Sequence, residues 1–292
     1  MDKLELKALA KINLGLDVLG RRENGYHDVK MVMQTIYLYD DVRLEKTKEP
    51  GIRLETNLPY LPVDESNIAY KAAKLLLEEF RLEDGIAIEL KKCIPVSAGM
   101  AGGSTNAAAV LFGMNRMFDL GLSMQELMDR GVTLGADVPY CIMRGTVLAE
   151  GIGEILTPLA PMPKCTVLIA KPGISVSTKT VYEKFDALPT VEHPDIDGLI
   201  RGLDAGDLGM ITSCMGNVLE EVTIGEYPII NRIKQDMKRE GALHAMMSGS
   251  GPTVFGIFED RKSAKRAYRV LREKKLAKQI YLTGIHNTKR RT

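Results

Sequence analysis

The segment Pro95-Val96-Ser97-Ala98-Gly99-Met100-Ala101-Gly102-Gly103-Ser104-Thr105-Asn106-Ala107-Ala108-Ala109 limits the possible folds of this chain more than any other. Before it, Ile86-Ala87-Ile88-Glu89-Leu90 alternates as a strand, and after it Thr105 to Phe118 carries apolar residues at helical spacing. A strand, a glycine loop and a helix in that order commit the region to mixed α and β structure. Glycine tolerates unusual backbone angles and close ligand approach, and a helix N-terminus presents unpaired amides and partial positive charge to an anion. Phosphate is the natural ligand, and Ser104 and Thr105 add hydroxyls for its oxygens or for a magnesium ion. The Gly-Lys-Ser/Thr of a Walker loop and the Gly-x-Gly-x-x-Gly of a dinucleotide fold are both missing. A ligand-free glycine turn leading into a closely packed alanine face accounts for the same residues. A second cluster, Met247-Ser248-Gly249-Ser250-Gly251-Pro252-Thr253, precedes an apolar strand and reads on its chemistry as a structural turn.

The opening third is strand-rich. Leu4, Leu6 and Ala8 alternate with polar residues, Leu14, Leu16 and Val18 resume the pattern, and Lys11 and Asn13 fall between the two runs. Arg21-Arg22-Glu23-Asn24-Gly25 predicts a turn before further strand sequence from Met31. A helix follows Asn67, and Ser123 with Glu126 forms a capping-box pattern at the start of another. Prolines 158, 161 and 163 interrupt regular hydrogen bonding, which predicts a domain boundary there, with domains at 1–160 and 161–292. Beyond it, Val167-Leu168-Ile169, a short helix at 179–185, a longer one at 229–240, strand sequence within 246–258, a charged helix at 262–274 and a strand at 279–283 predict an α+β unit built on an antiparallel sheet.

Charge excludes some functions. With 39 basic and 38 acidic residues the formal charge is +1, so no global field attracts nucleic acid or an anionic membrane, and any phosphate must be bound locally. Four scattered cysteines without metal-ligand spacing suit a reducing cytoplasm, and neither an apolar targeting core nor a run of roughly 18 apolar residues is present.

Ala10-Lys11-Ile12-Asn13-Leu14, Gly25-Tyr26-His27, the 95–109 run, Gly135-Ala136-Asp137-Val138-Pro139 and Gly249-Ser250-Gly251-Pro252 occur in an order that resembles one superfamily over nearly the whole chain. These are the small-molecule kinases of the galactokinase, homoserine kinase, mevalonate kinase and phosphomevalonate kinase type. The Gly-Tyr-His element resembles the branch that phosphorylates the tertiary 2-hydroxyl of a cytidine-diphosphate-linked methylerythritol in the non-mevalonate isoprenoid pathway.

The resemblance implies an N-terminal domain like domain 2 of ribosomal protein S5, with a left-handed β-α-β unit, and a C-terminal ferredoxin-like domain. It implies ATP and Mg²⁺ as cofactors, a cytidylyl small molecule as substrate, and neither nucleic acid nor membrane as partner. Carried over by position, Asp137 receives the alcohol proton, Lys11 orients that carboxylate and offsets charge on the phosphoryl group, and Asn13 lies near the alcohol. Tyr26, His27, Thr178 and Tyr182 match the cytidine side. Pro95, Gly99, Ala101, Gly102, Gly103, Ser104, Thr105 and Asn106 match the ATP side, with Gly249, Ser250 and Gly251 as a turn beside the phosphates.

The chain departs from the pattern at Met100 and Ala101, at Thr105 where a second serine is common, and at Asn106 where aspartate is frequent. It has no glutamate between Ala107 and Phe118, which leaves the metal ligands unassigned. A kinase for another alcohol, a diphosphate decarboxylase of the same fold and an RNA-binding module are the alternatives.

Overall fold

A computed structural model of the chain describes residues 1–288. Two compact units emerge. The first comprises Met1–Ala10, Leu38–Val96 and Ala101–Met143, and the second Lys11–Tyr37, Ser97–Met100 and the chain from Arg144 onward. The second unit runs straight through the proline-rich 156–164 segment.

Two long strands contribute to both units: β1 (Lys3–Arg21) and β2 (His27–Thr47), joined by the expected turn with Gly25 at φ +85°. β1 is one uninterrupted strand, so the two apolar runs on either side of Lys11 and Asn13 belong to a single strand. From Ala8 to Val18 both faces are buried, and the polar residues sit inside the protein at alternate positions.

In the first unit, β3 (Ile52–Thr56), α1 (Ile68–Glu79) and β4 (Gly85–Lys91) form a β-α-β unit, with β3 and β4 paired in parallel. β4 pairs antiparallel with β2 from Asp41 opposite Lys91 to Thr47 opposite Gly85. Asn67 caps α1 by accepting from the Ala69 amide. The helices α2 (Gly102–Met117), α3 (Met124–Leu134) and α4 (Val138–Met143) complete the unit. Ser123 and Glu126 close the predicted capping box on α3.

The second unit continues with β5 (Thr146–Glu150) and β6 (Ile155–Pro158), an antiparallel pair that sequence patterning did not anticipate. Pro158 is tolerated because β6 is an edge strand, paired among the described residues with β5 alone. There follow β7 (Thr166–Lys171), α5 (Thr178–Phe185), α6 (Ile196–Ala205), α7 (Leu208–Cys214), β8 (Gly216–Asn217), α8 (Glu220–Glu226), α9 (Ile229–Arg239), β9 (His244–Met247), β10 (Val254–Phe258), α10 (Arg261–Glu273) and β11 (Gln279–Gly284). The sheet order β11-β7-β10-β9 is antiparallel throughout. With helices after its first and third strands, this is the ferredoxin-like arrangement. Sequence reading passed over α6, although Ile196, Leu199 and Leu203 line its buried face and Asp195 caps it.

His244 opens β9, and burial, reinforced by Lys238 and Lys234, pushes its pKa down to about 4 from 6.5. The unfolded chain takes up a proton below about pH 6.5 that the native state refuses until about pH 4, so stability falls with pH across that window. We expect about 2–3 kcal/mol to be lost from this residue between pH 7 and 4.5. Urea unfolding of His244→Gln at both pH values should show a correspondingly shallower loss than the parent; equal losses would remove His244 as the cause.

Candidate functional site

In the first unit the site is the start of α2. The helix begins at Gly102, three residues before the expected Thr105, so both glycines lie in its first turn. A Cβ on Gly102 would stand a tight 3.1 Å from Ile94 Cγ2, whereas one on Gly103 would meet Ile68 Cγ2 at 3.4 Å, close to ordinary contact. Ala101, at φ +55°, occupies the N-cap position in the left-handed region, and no side chain caps the helix. That conformation costs an alanine about 1–2 kcal/mol, and the uncapped end keeps its amides and dipole available to an anion. Ser104 is partly exposed, whereas Thr105 is 1 % exposed, so Ser104 is the accessible hydroxyl of the pair.

Asn106 is buried and commits its amide to a network that sequence reading missed. Asp40, fully buried, accepts through Oδ1 from the backbone amides of Cys93 at 2.6 Å and Ile94 at 2.8 Å. Its Oδ2 accepts from Asn106 Nδ2 at 3.0 Å and forms a short ion pair with Lys92 Nζ. Lys92 also donates to Asn106 Oδ1 at 2.6 Å and to the Gly102 carbonyl at 3.3 Å. The first turn of α2 is thereby tied to the end of β4. An aspartate at 106 would put a second carboxylate beside Asp40 around one ammonium, so the amide, with one donor and one acceptor, suits this chain. Lys92 directly follows β4, but Asp40 lies inside β2, and no local sequence pattern marks the pair.

Asp137 immediately precedes α4 and is partly buried; its carbonyl accepts from the Cys141 amide at 3.1 Å, while Gly135 accepts from the Val138 amide at 3.0 Å. Pro139 fits the first turn, where its missing N–H has no helical partner to lose.

In the second unit, residues distant in sequence form a continuous string of contacts. Lys11, 5 % exposed, donates from Nζ to Asn13 Oδ1 at 2.8 Å, and its backbone amide donates to the Met100 carbonyl at 3.2 Å. Gly99, at φ +70°, lies so close to Ser248 that a Cβ would stand 2.0 Å from the Ser248 carbonyl oxygen. Ser248 Oγ donates to the Gly99 carbonyl at 2.9 Å, and a Cβ on Gly249 would be 3.3 Å from Gly99 Cα and 3.7 Å from Asn13 Oδ1. The second glycine cluster therefore backs the first and is held there by Asn217, which donates to the carbonyls of Met247 and Gly249 at 2.9 and 2.8 Å.

The string continues along α5. Ser250 and Thr178 share a hydroxyl hydrogen bond of 2.8 Å; Tyr182 packs its ring against His27 with centroids 4.7 Å apart; Asp186 Oδ1 accepts from His27 Nε2 at 2.6 Å. Thr178, Tyr182 and Asp186 are four residues apart and so share one helix face. Tyr26, in contrast, is 60 % exposed at the turn. Pro95 is buried.

Two family models match the chain: one described as GHMP kinases N terminal domain over residues 67–145, and one described as GHMP kinases C terminal over residues 199–277. Fold and site together thus define a GHMP kinase, a class whose phosphate donor is ATP. A 4-diphosphocytidyl-2-C-methyl-D-erythritol kinase from Lachnospira eligens is 58% identical over 97% of this chain and 98% of its own, and one from Lachnoclostridium phytofermentans is 53% identical over 99% of each. Among solved structures, a 4-(cytidine 5'-diphospho)-2C-methyl-D-erythritol kinase is 31% identical, with a TM-score of 0.81 covering 98% of this chain and 100% of that one. The chain belongs to the 4-diphosphocytidyl-2-C-methyl-D-erythritol kinase family of the GHMP kinases, and it is an enzyme, a kinase. Among the described residues no helix is long and apolar enough to cross a membrane.

Proposed function

We propose that the protein transfers the γ-phosphoryl group of ATP to the 2-hydroxyl of 4-diphosphocytidyl-2-C-methyl-D-erythritol, in the non-mevalonate route to isoprenoids. Asp137 takes the hydroxyl proton, the freed oxygen attacks the γ-phosphorus, and the bond from phosphorus to the β,γ-bridging oxygen breaks to release ADP. Lys11 orients the reacting groups and offsets the charge that spreads over the transferred group. Asn13 holds the Lys11 ammonium from one side and lies beside the alcohol. The first turn of α2, Gly102 to Ser104, holds the phosphates through its amides. Mg²⁺, when bound, would neutralise charge on those phosphates, and the partly exposed Ser104 hydroxyl would offer it an oxygen. We assign residues 1–160 to the N-terminal kinase domain and 161–292 to the ferredoxin-like domain, and we assign the enzyme to the cytoplasm, which suits four free cysteines.

The observation that carries this reading is the one face of α5. From Thr178 to Asp186 is about 12 Å along a helix axis, the scale that separates a nucleobase from a group attached through its diphosphate. One end of that face holds the His27–Tyr182 pair, suited to a base, and the other meets the glycine turn packed on Gly99 and Asn13. The deciding assay compares ATP consumption with the cytidylyl alcohol, homoserine and mevalonate and identifies the phosphorylated position. Preferred phosphorylation of a free mevalonate-type acid, or release of carbon dioxide, would overturn the assignment.

His27→Ala is expected to raise the dissociation constant of the cytidylyl substrate about 10-fold or more, while ATP affinity stays nearly constant, because only one ligand loses a base-edge contact. Calorimetric titration of each ligand checks this. Unchanged cytidylyl binding would dismiss the energetic role of His27.

A further inference from the structure

His27 has two ring nitrogens, and only one of them can read a base edge. Its side chain is 8 % exposed, and its Nε2 is already engaged by Asp186 Oδ1 at 2.6 Å. The second oxygen of that carboxylate faces Arg21, with Nη1 at 3.4 Å from Oδ2, so the carboxylate is oriented from both sides. Tyr182 lies against the imidazole at a tilt of 35°, which restricts rotation of the ring. A carboxylate only accepts hydrogen bonds, so the neutral imidazole that faces it carries its proton on Nε2 and leaves a lone pair on Nδ1.

We propose that Asp186 is a specificity-determining positioning residue: by holding His27 in the Nε2–H tautomer it makes Nδ1 an acceptor that selects the amino group at C4 of cytosine over the carbonyl oxygen of uracil. Cytosine offers a donor at that position and uracil an acceptor, so a fixed acceptor on the protein pairs with the first and repels the second. A site built to receive a substrate N–H discriminates strongly against the analogue that lacks it, because its own polar group is then left without a partner. Without Asp186 either tautomer serves, and the Nδ1–H form presents a donor that suits the uracil oxygen. The proposal rests on the cytidylyl reading of the site given above. Asp186 is the C-cap of α5, one helical turn beyond Tyr182 and two beyond Thr178, so the helix that sets the base end of the site also sets this choice.

Two measurements on the full-length enzyme test it. Nitrogen-15 NMR of histidine-labelled protein at about pH 8 should show His27 with a protonated Nε2 and a bare Nδ1 in the parent, and mixed tautomers in Asp186→Ala. In steady-state assays with the cytidylyl alcohol and its uridylyl counterpart, Asp186→Ala should raise KM for the cytidylyl substrate about 10-fold and leave kcat within about twofold. The cytidylyl preference in kcat/KM should narrow about 10-fold or more. A loss that falls equally on both substrates would mean that Asp186 merely supports α5, and a parent His27 protonated on Nδ1 would overturn the tautomer assignment even if the variant did not fold. Failure of the underlying substrate reading looks different, because the parent would then turn over neither nucleotide-linked alcohol, and that outcome sinks both.

Discussion

Asp137→Asn should slow single-turnover phosphoryl transfer by about 100-fold or more at saturating ligand, with ATP and substrate dissociation constants changing far less. The substitution keeps the size of the side chain and its hydrogen-bonding capacity but removes the group that accepts a proton. Two hydrogen bonds at this turn do not involve the carboxylate: the carbonyl of Asp137 receives the Cys141 amide and that of Gly135 receives the Val138 amide. Folding and binding are therefore expected to survive, which isolates the chemical step. Rapid-quench measurement of the first turnover separates that step from product release. A folded variant that transfers phosphate at the parental rate would remove Asp137 as the general base and leave membership in the kinase family untouched.

The second large effect is on stability. Lys92→Met leaves the Asp40 carboxylate buried without its cation, and Asp40→Ala leaves the Lys92 ammonium, 5 % exposed at its side chain, in the same condition. Removing one partner of a buried pair costs about 3–5 kcal/mol, a large share of a total stability of about 5–15 kcal/mol. The combined Asp40→Ala and Lys92→Met variant should lose clearly less than the sum of the two single substitutions, because neither change then strands a charge. Urea unfolding of the single and double variants supplies the cycle. Losses below about 1 kcal/mol for each single variant would show that the pair is not energetically coupled. The same network ties Asn106 and the Gly102 carbonyl to the end of β4, so surviving variants should also bind ATP less tightly as the first turn of α2 loosens.

Sequence patterning located most elements because their causes are local. The apolar spacing of α1, α9 and α10 and the Ser123–Glu126 capping box need only residues within a few positions of one another. It failed where a local cue was weak or misleading. Its two runs around Lys11 and Asn13 are one strand, β1, in which burial on both faces leaves the two polar side chains to satisfy each other. Thr105 looked like the helix start because glycine is a poor helix former, yet α2 opens at Gly102, where a side chain would crowd Ile94.

The sequence alone determined the glycine-rich strand-to-helix unit, the near-neutral charge that confines phosphate binding to one place, and, through ordered motifs, the kinase family. The tertiary structure decided which groups share a site. Asp40 meets Lys92 from 52 positions away and Asn106 from 66, Ser248 meets Gly99 from 149, and Asp186 meets His27 from 159. No local propensity specifies such pairs. They arise when burial of apolar strands and helices brings distant segments together, and a buried polar group must then find its hydrogen-bond partner among whatever the fold has placed beside it.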